Sequence, residues 1–152
     1  MGKAQSVARE RKVKIAAMAN IPVGAVREEK LLVTGEVAID FLGLDEARVL
    51  STPNMIGWME RTARNLAKEY LEDGLDTVGT HVNVAHMAAA LIGTNVTFRA
   101  EVASVEEKRV NFKVEAVDEF GEKLGEGSHQ RGIINVARFA AKLAEKRAKA
   151  RG

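Results

Sequence analysis

The sequence predicts an α+β fold: a five-stranded antiparallel sheet curled around one central helix, with a basic helical extension at each end. Three observations carry this. One long amphipathic helical stretch, starting near Pro53, sits among segments that alternate apolar and polar residues. Four such segments follow it, separated by short connections, which suits antiparallel pairing. Finally, 152 residues with 46% hydrophobic and 29% charged side chains make an ordinary globular composition of one-domain size.

Taken in order, residues 3–18 mix Ala, Val, Met, Lys and Arg without breakers and predict a helix, ended by Asn20, Pro22 and Gly24. Residues 31–41 predict the first strand: Leu31, Val33, Gly35, Val37, Ile39 and Phe41 share one face, with Thr34, Glu36 and Asp40 on the other. A loop with Gly43, Asp45 and Glu46 follows. Residues 53–70 predict the central helix, with Thr52 as N-cap and Pro53 at the first helical position. Met55, Ile56, Met59, Ala63, Leu66, Ala67, Tyr70 and Leu71 fall on one arc; Arg61, Asn65, Lys68 and Glu72 fall opposite. Asp73-Gly74 stops the helix.

The remaining strands are expected over residues 78–87, 94–105, 110–117 and 124–136. The second of these sets Val96, Phe98, Ala100 and Val102 on one face; the third sets Val110, Phe112, Val114 and Ala116 on one face. Turns fall at Glu107-Lys108 and at Phe120-Gly121-Glu122, and an Ala- and Lys-rich helix is expected from Arg138. Gly125, Gly127 and Gly132 in the last strand mark bulges or close backbone approach. One helix cannot cover both faces of a five-stranded sheet, so the sheet curls around it or packs on a partner. That is the hotdog arrangement. The expected division is 1–24 for a basic helical extension, 25–137 for the hotdog domain, and 138–152 for a basic helical tail.

The formal charge is +2, but it is unevenly placed. Residues 1–20 carry +4 and residues 138–152 carry +5, so residues 21–137 carry −7. The body also has few aromatics, with Phe98 and Phe112 on apolar faces, which argues against nucleic acid as a partner. The absence of cysteine excludes disulfides, thiolate zinc sites and a cysteine nucleophile. No run approaches the ~18 apolar residues of a membrane span, and the apolar run 15–19 is too short for a signal segment. A cytoplasmic protein with no membrane partner is the expectation.

Three residues stand out. Glu60 falls inside the apolar arc of the helix, where an ionised carboxylate is costly unless it is paired. Three readings fit: a carboxylate that reaches water at the arc's edge, an ion pair with Arg64 one turn on, or a functional acid in a pocket. His86 ends the alternating face Val78, Thr80, Val82, Val84; it is either a satisfied core histidine or a site residue. His81 falls on the opposite face with Gly79 and Asn83, while His129 shares a face with Arg131 and Ile133. No metal-ligand spacing links these three histidines, so no metal is expected. Thr52 reads first as a cap, though a cap hydroxyl at a helix N-terminus can also face a ligand.

Three segments carry a resemblance. Ser51-Thr52-Pro53-Asn54-Met55-Ile56-Gly57-Trp58-Met59-Glu60, then Val78-Gly79-Thr80 with Val84-Ala85-His86-Met87-Ala88-Ala89 and Gly93, then Ser128-His129-Gln130-Arg131, resemble the fluoroacetyl-CoA thioesterase and its hotdog relatives. The intervals match as well, eight residues from Thr52 to Glu60 and 26 from Glu60 to His86. The resemblance spans about residues 27–142.

The resemblance implies a thioesterase acting on a short or small acyl-CoA, with a Thr-Glu-His catalytic set at Thr52, Glu60 and His86. It places Gly79 against the acyl group and Arg131 near the pocket. It implies no cofactor, CoA being part of the substrate, and a homodimer as the assembly. Residues 43–47 lack the aromatic lid residues of the fluoroacetyl-specific enzyme, and Leu91-Ile92 replaces a Pro-Pro pair. Fluorinated selectivity is therefore not implied. The competing readings are a non-hydrolytic acyl-CoA-binding hotdog protein and a hotdog hydratase, although no Asp/His pair suited to hydration is evident.

Overall fold

A computed structural model describes residues 20–41 and 43–152. The helix expected over residues 3–18 lies outside the described residues. The strands are β1 Val26–Leu32, β2 Leu75–His86, β3 Asn95–Glu106, β4 Arg109–Asp118 and β5 Lys123–Asn135. They form one antiparallel sheet in the order β1-β3-β4-β5-β2. The central helix Thr52–Lys68 packs on this sheet, and the C-terminal helix Val136–Arg151 follows β5 directly, two residues earlier than expected.

The core lies between helix and sheet. Val96, Phe98, Ala100 and Val102 of β3 and Val110, Phe112, Val114 and Ala116 of β4 are all buried, as their alternation predicts. Met55, Met59, Ala63, Leu66 and Ala67 meet them from the helix. Each large side chain buried this way contributes about 1.5–3 kcal/mol. Gly74, with φ +88°, ends the segment after the helix in a conformation that suits glycine.

The first strand differs from expectation. It occupies Val26–Leu32, and past Val33 the chain leaves the sheet through a short 3-10 turn, Gly35–Val37. The half-buried face of β1 carries Arg27, Glu29 and Leu31. Arg27 pairs with Glu69, and Glu29 accepts from Asn65 and pairs with Arg61. Charged side chains satisfied by the helix replace the apolar alternation that would have marked the strand. Of the apolar residues of 31–41, Leu31, Val33 and Val37 pack on the core while Ile39 and Phe41 are exposed, and the segment is held by Ser51 N–H donating to Val37 O and Ile39 N–H to Val49 O.

The helix cap also differs. Ser51 is the N-cap, its hydroxyl accepting from the Asn54 N–H at 3.3 Å, and Thr52 is the first helical residue. Thr52 is thereby released from capping.

In β2 the expected face Val78-Thr80-Val82-Val84-His86 is broken. The register with β5 shifts between Gly79 and His81, leaving Thr80 as the extra residue of a bulge. Thr77 and Gly79 face the helix before the bulge; Val84 and His86 face it afterwards. Gly79 and His86 are seven residues apart, an odd interval that a regular strand would send to opposite faces. The bulge puts both on the helix side, so Gly79 does not share the outer face with His81 and Asn83.

β5 shows the close approach its glycines predict. A Cβ at Gly127 would strike the backbone of Asn83 and Val84 on β2, and one at Gly125 would lie 2.8 Å from Met55 Sδ.

Candidate active site

Two clusters of polar groups lie along the helix–β2 seam. The first joins the helix N-terminus to the end of β2: Thr52 Oγ1 lies 2.7 Å from His86 Nδ1. This contact orients the imidazole and leaves Nε2 as its free nitrogen. The segments flanking it are pinned by Leu50 N–H donating to Ala90 O and Met87 N–H to Leu124 O.

The second cluster surrounds Glu60. Arg131 is buried, with 6% exposure. Its Nε donates to Thr77 Oγ1 at 2.6 Å, Nη2 to Thr77 O at 2.9 Å, and Nη1 to His129 Nε2 at 3.1 Å. An arginine only donates, so His129 Nε2 accepts, and His129 Nδ1 carries the proton donated to His81 O at 2.9 Å. His129 is thus a neutral imidazole of defined tautomer, stacked on Phe112 at 6.3 Å. Burial pushes its pKa below the ordinary histidine value, and the Arg131 cation adds to this, while the His81 carbonyl and Glu60 oppose it. Burial likewise lowers Arg131, against the pull of Glu60. No carboxylate lies in salt-bridge contact with Arg131 among the described residues.

Glu60 stands over this network, half-buried. A Cβ at Gly79 would lie 2.9 Å from Glu60 Oε1, 3.4 Å from His129 Cε1 and 3.6 Å from Arg131 Nη1. Glycine at 79 is what leaves room for the carboxylate. Glu60 makes no pair with Arg64, which instead forks onto Asp76 at 3.0 and 2.7 Å. Arg64 holds the Asp76 carboxyl well below the usual range. Among the described residues the Glu60 carboxylate has no hydrogen-bond partner, so its oxygens are open to a ligand or to water.

The five residues named from sequence therefore fall in two groups: Thr52 with His86, and Glu60 with Gly79 and Arg131. Within one chain these groups are apart, because eight helical residues rise about 12 Å. Thr52 accordingly engages His86 and not Glu60. Sequence reasoning missed Thr77, which carries two of the three Arg131 bonds, and left His129 without a role. The readable signal was two polar residues, His129 and Arg131, on the strand face they share with Ile133.

Gly79→Ala tests the second group. The position lacks a positive φ, so alanine suits the backbone, but its Cβ must displace the Glu60 carboxylate. If Glu60 carries the chemistry that the sequence resemblance implies, kcat falls about 10- to 100-fold with the melting temperature nearly unchanged, since small misplacements of a reacting group cost this much.

A five-stranded antiparallel sheet around one long helix, with polar groups gathered on the helix–edge-strand seam, defines a protein of the hotdog class. The chain is 29% identical to a Thermus thermophilus protein described as a thioesterase superfamily member, with a TM-score of 0.78 over 86% of this chain and 96% of that one. It is 25% identical to a hot-dog-like protein from Thermanaerovibrio acidaminovorans, with a TM-score of 0.76 over 84% of this chain and 94% of that one. Residues 33–137 match the family model described as fluoroacetyl-CoA-specific thioesterase. The chain belongs to that family, a family of thioester hydrolases. A fluoroacetyl-CoA thioesterase of Streptantibioticus cattleyicolor is 39% identical over 98 residues, 64% of this chain and 70% of that protein.

Proposed function

We propose that the protein hydrolyses a small acyl-CoA thioester to the free acid and CoA, using Thr52, Glu60 and His86, with Gly79 and Arg131 against the acyl group. The observation that carries this is the unpartnered Glu60 carboxylate beside a buried cation and a glycine-made gap. In the proposed reaction, Glu60 attacks the thioester carbonyl carbon or takes the proton from an attacking water; either route uses the same exposed oxygens. The C–S bond breaks, and His86 Nε2 protonates the departing thiolate or orients the water; on the covalent route a water then hydrolyses the acyl–Glu60 anhydride, which releases the acid and restores Glu60. Thr52 holds the His86 ring. Arg131, fixed by Thr77 and His129, supplies positive potential near the reacting carbonyl.

The separation of the two groups favours a homodimeric site. β2 is an edge strand with Gly79–Asn83 exposed, an open row of backbone donors and acceptors. A two-fold axis crossing β2 near Asn83 would pair it antiparallel with its copy. Glu60 and Gly79 of one copy would then lie beside Thr52 and His86 of the other, in an isologous interface.

The test is a panel of acyl-CoAs of increasing chain length, with released CoA read by a thiol-reactive dye. The expected result is CoA release, fastest with the smallest acyl groups. Acyl-CoA binding without any release would favour the non-hydrolytic reading. No helix among the described residues is long and apolar enough to cross a membrane, and we place the reaction in the cytoplasm.

A further inference from the structure

The bulge in β2 is gripped by β5 from both faces of the sheet. On the outer face the Thr80 hydroxyl lies 3.1 Å from Gln130 O and 3.1 Å from Gln130 Oε1. Gln130 Nε2 donates on to Asn111 Oδ1 of β4 at 3.0 Å, and Asn111 Nδ2 to Ser104 Oγ of β3 at 2.9 Å. On the inner face a chain of side-chain bonds crosses the bulge. It starts at Thr77, before the bulge, and passes through Arg131 and His129 to the carbonyl of His81, after it. Thr77, His129 and Arg131 are all buried, so these bonds form out of water, where they are strong when complete and costly when broken.

His129 is the link that both donates and accepts. Its Nδ1–H donates to His81 O, and its Nε2 accepts from Arg131 Nη1. Only the neutral imidazole in this tautomer does both. An imidazolium would lose the acceptor and set a second cation against Arg131. An apolar side chain would pack as well but would strand both buried partners. The ring also borders the Glu60 gap: a Cβ at Gly79 would lie 3.4 Å from His129 Cε1 and 2.9 Å from Glu60 Oε1. Phe112 of β4 stacks on the ring. The titratable groups that face it are Arg131 on β5, Glu60 on the central helix and His81 on β2.

We propose that His129 is a positioning residue of the reaction: as a neutral imidazole protonated on Nδ1, it fixes Arg131 and the β2 bulge, and so sets where the guanidinium and Gly79 lie relative to Glu60. It acts through Arg131 and the backbone of β2, not on the substrate. The assignment rests on the thioesterase reading above.

Two variants and one spectrum test it. His129→Leu removes both bonds, and kcat for a short acyl-CoA is expected to fall about 10- to 100-fold, the cost of a small misplacement at a reacting centre. His129→Gln keeps an amide donor and an amide acceptor and is expected to recover about tenfold of that loss. Glutamine does not titrate, so pH profiles separate positioning from packing. The active form of the unmodified protein has neutral His129, present above the His129 pKa and lost as pH falls through it. Burial, before all else, holds that pKa below the ordinary histidine value. Glu60, His81 and His86 titrate in both proteins. The ratio of kcat in His129→Gln to kcat in the unmodified protein should therefore rise as pH falls through and below the ordinary histidine range. Nitrogen NMR of the three labelled imidazoles, with His129 assigned by the signal lost in His129→Gln, should show a proton on Nδ1 and none on Nε2 at neutral pH. Equal losses in the Leu and Gln variants, a ratio flat with pH, or an Nε2-protonated His129 would each overturn the proposal. Should His129→Leu not fold, the pH ratio and the spectrum carry the same decision. If the unmodified protein releases no CoA from any acyl-CoA, the thioesterase reading fails instead, and the spectrum then decides the hold on Arg131: a proton on Nδ1 supports it, and a proton on Nε2 refutes it.

Discussion

Glu60→Ala is expected to lower kcat by about 10³-fold or more, the range seen when a nucleophile or general base is removed. The structure makes this variant a clean probe. Glu60 has no hydrogen-bond partner among the described residues, so its removal leaves no donor newly stranded. It loses only the attraction of Glu60 to Arg131, which keeps its bonds to Thr77 and His129. The melting temperature should therefore shift little, and Glu60→Gln, which keeps the volume, should be as inactive. His86→Ala should be impaired to a similar degree, because in the proposed reaction His86 protonates the thiolate or orients the water. Turnover within a few-fold of the unmodified protein in the Glu60 variants would show that another group carries the chemistry.

The second large effect is complementation. Glu60→Ala and His86→Ala homodimers are each expected to be nearly inactive. If Glu60 works with His86 of the second copy, a heterodimer of the two variants holds one site with both residues intact and one with neither. Random exchange at equal concentration makes half of the dimers mixed, so about a quarter of the original activity should return. If both residues served one site within a chain, the mixture would stay inactive. The readout is hydrolysis rate after partial unfolding and refolding of the mixture, compared with each variant treated alone.

Much of the core was legible before any coordinates. β3 and β4 run antiparallel through the middle of the sheet, each with one face pressed on the helix, and they alternate as written. β1 was not legible, because its inward face is built from Arg27 and Glu29. Those charges are tolerated only because Glu69, Asn65 and Arg61 meet them from a helix more than 30 residues away. Thr52 was misplaced as the cap because Ser51 and Thr52 are both favoured cap residues, and the small preference for Ser is outweighed by Pro53, which suits the first helical position after either.

For the site, Glu60 was visible as a carboxylate on an apolar arc and His86 as an imidazole on an apolar face. Their relation to the other groups was not visible. One unpaired residue, Thr80, turns Gly79 to the helix side and re-phases everything after it. The bulge is written into the pairing of β2 with β5, not into β2 alone.

The linear order of residues therefore decides the periodicity of the elements, the acidic body between basic ends, and which polar side chains interrupt the apolar faces. These follow from spacing along the chain, where period 2 and period 3.6 act locally. The tertiary structure alone decides that Thr52 meets His86, that His129 is held by the His81 carbonyl, and that Arg131 is held by Thr77. Each depends on contacts between segments 34 to 54 residues apart, and no local periodicity encodes which of those distant groups will face one another.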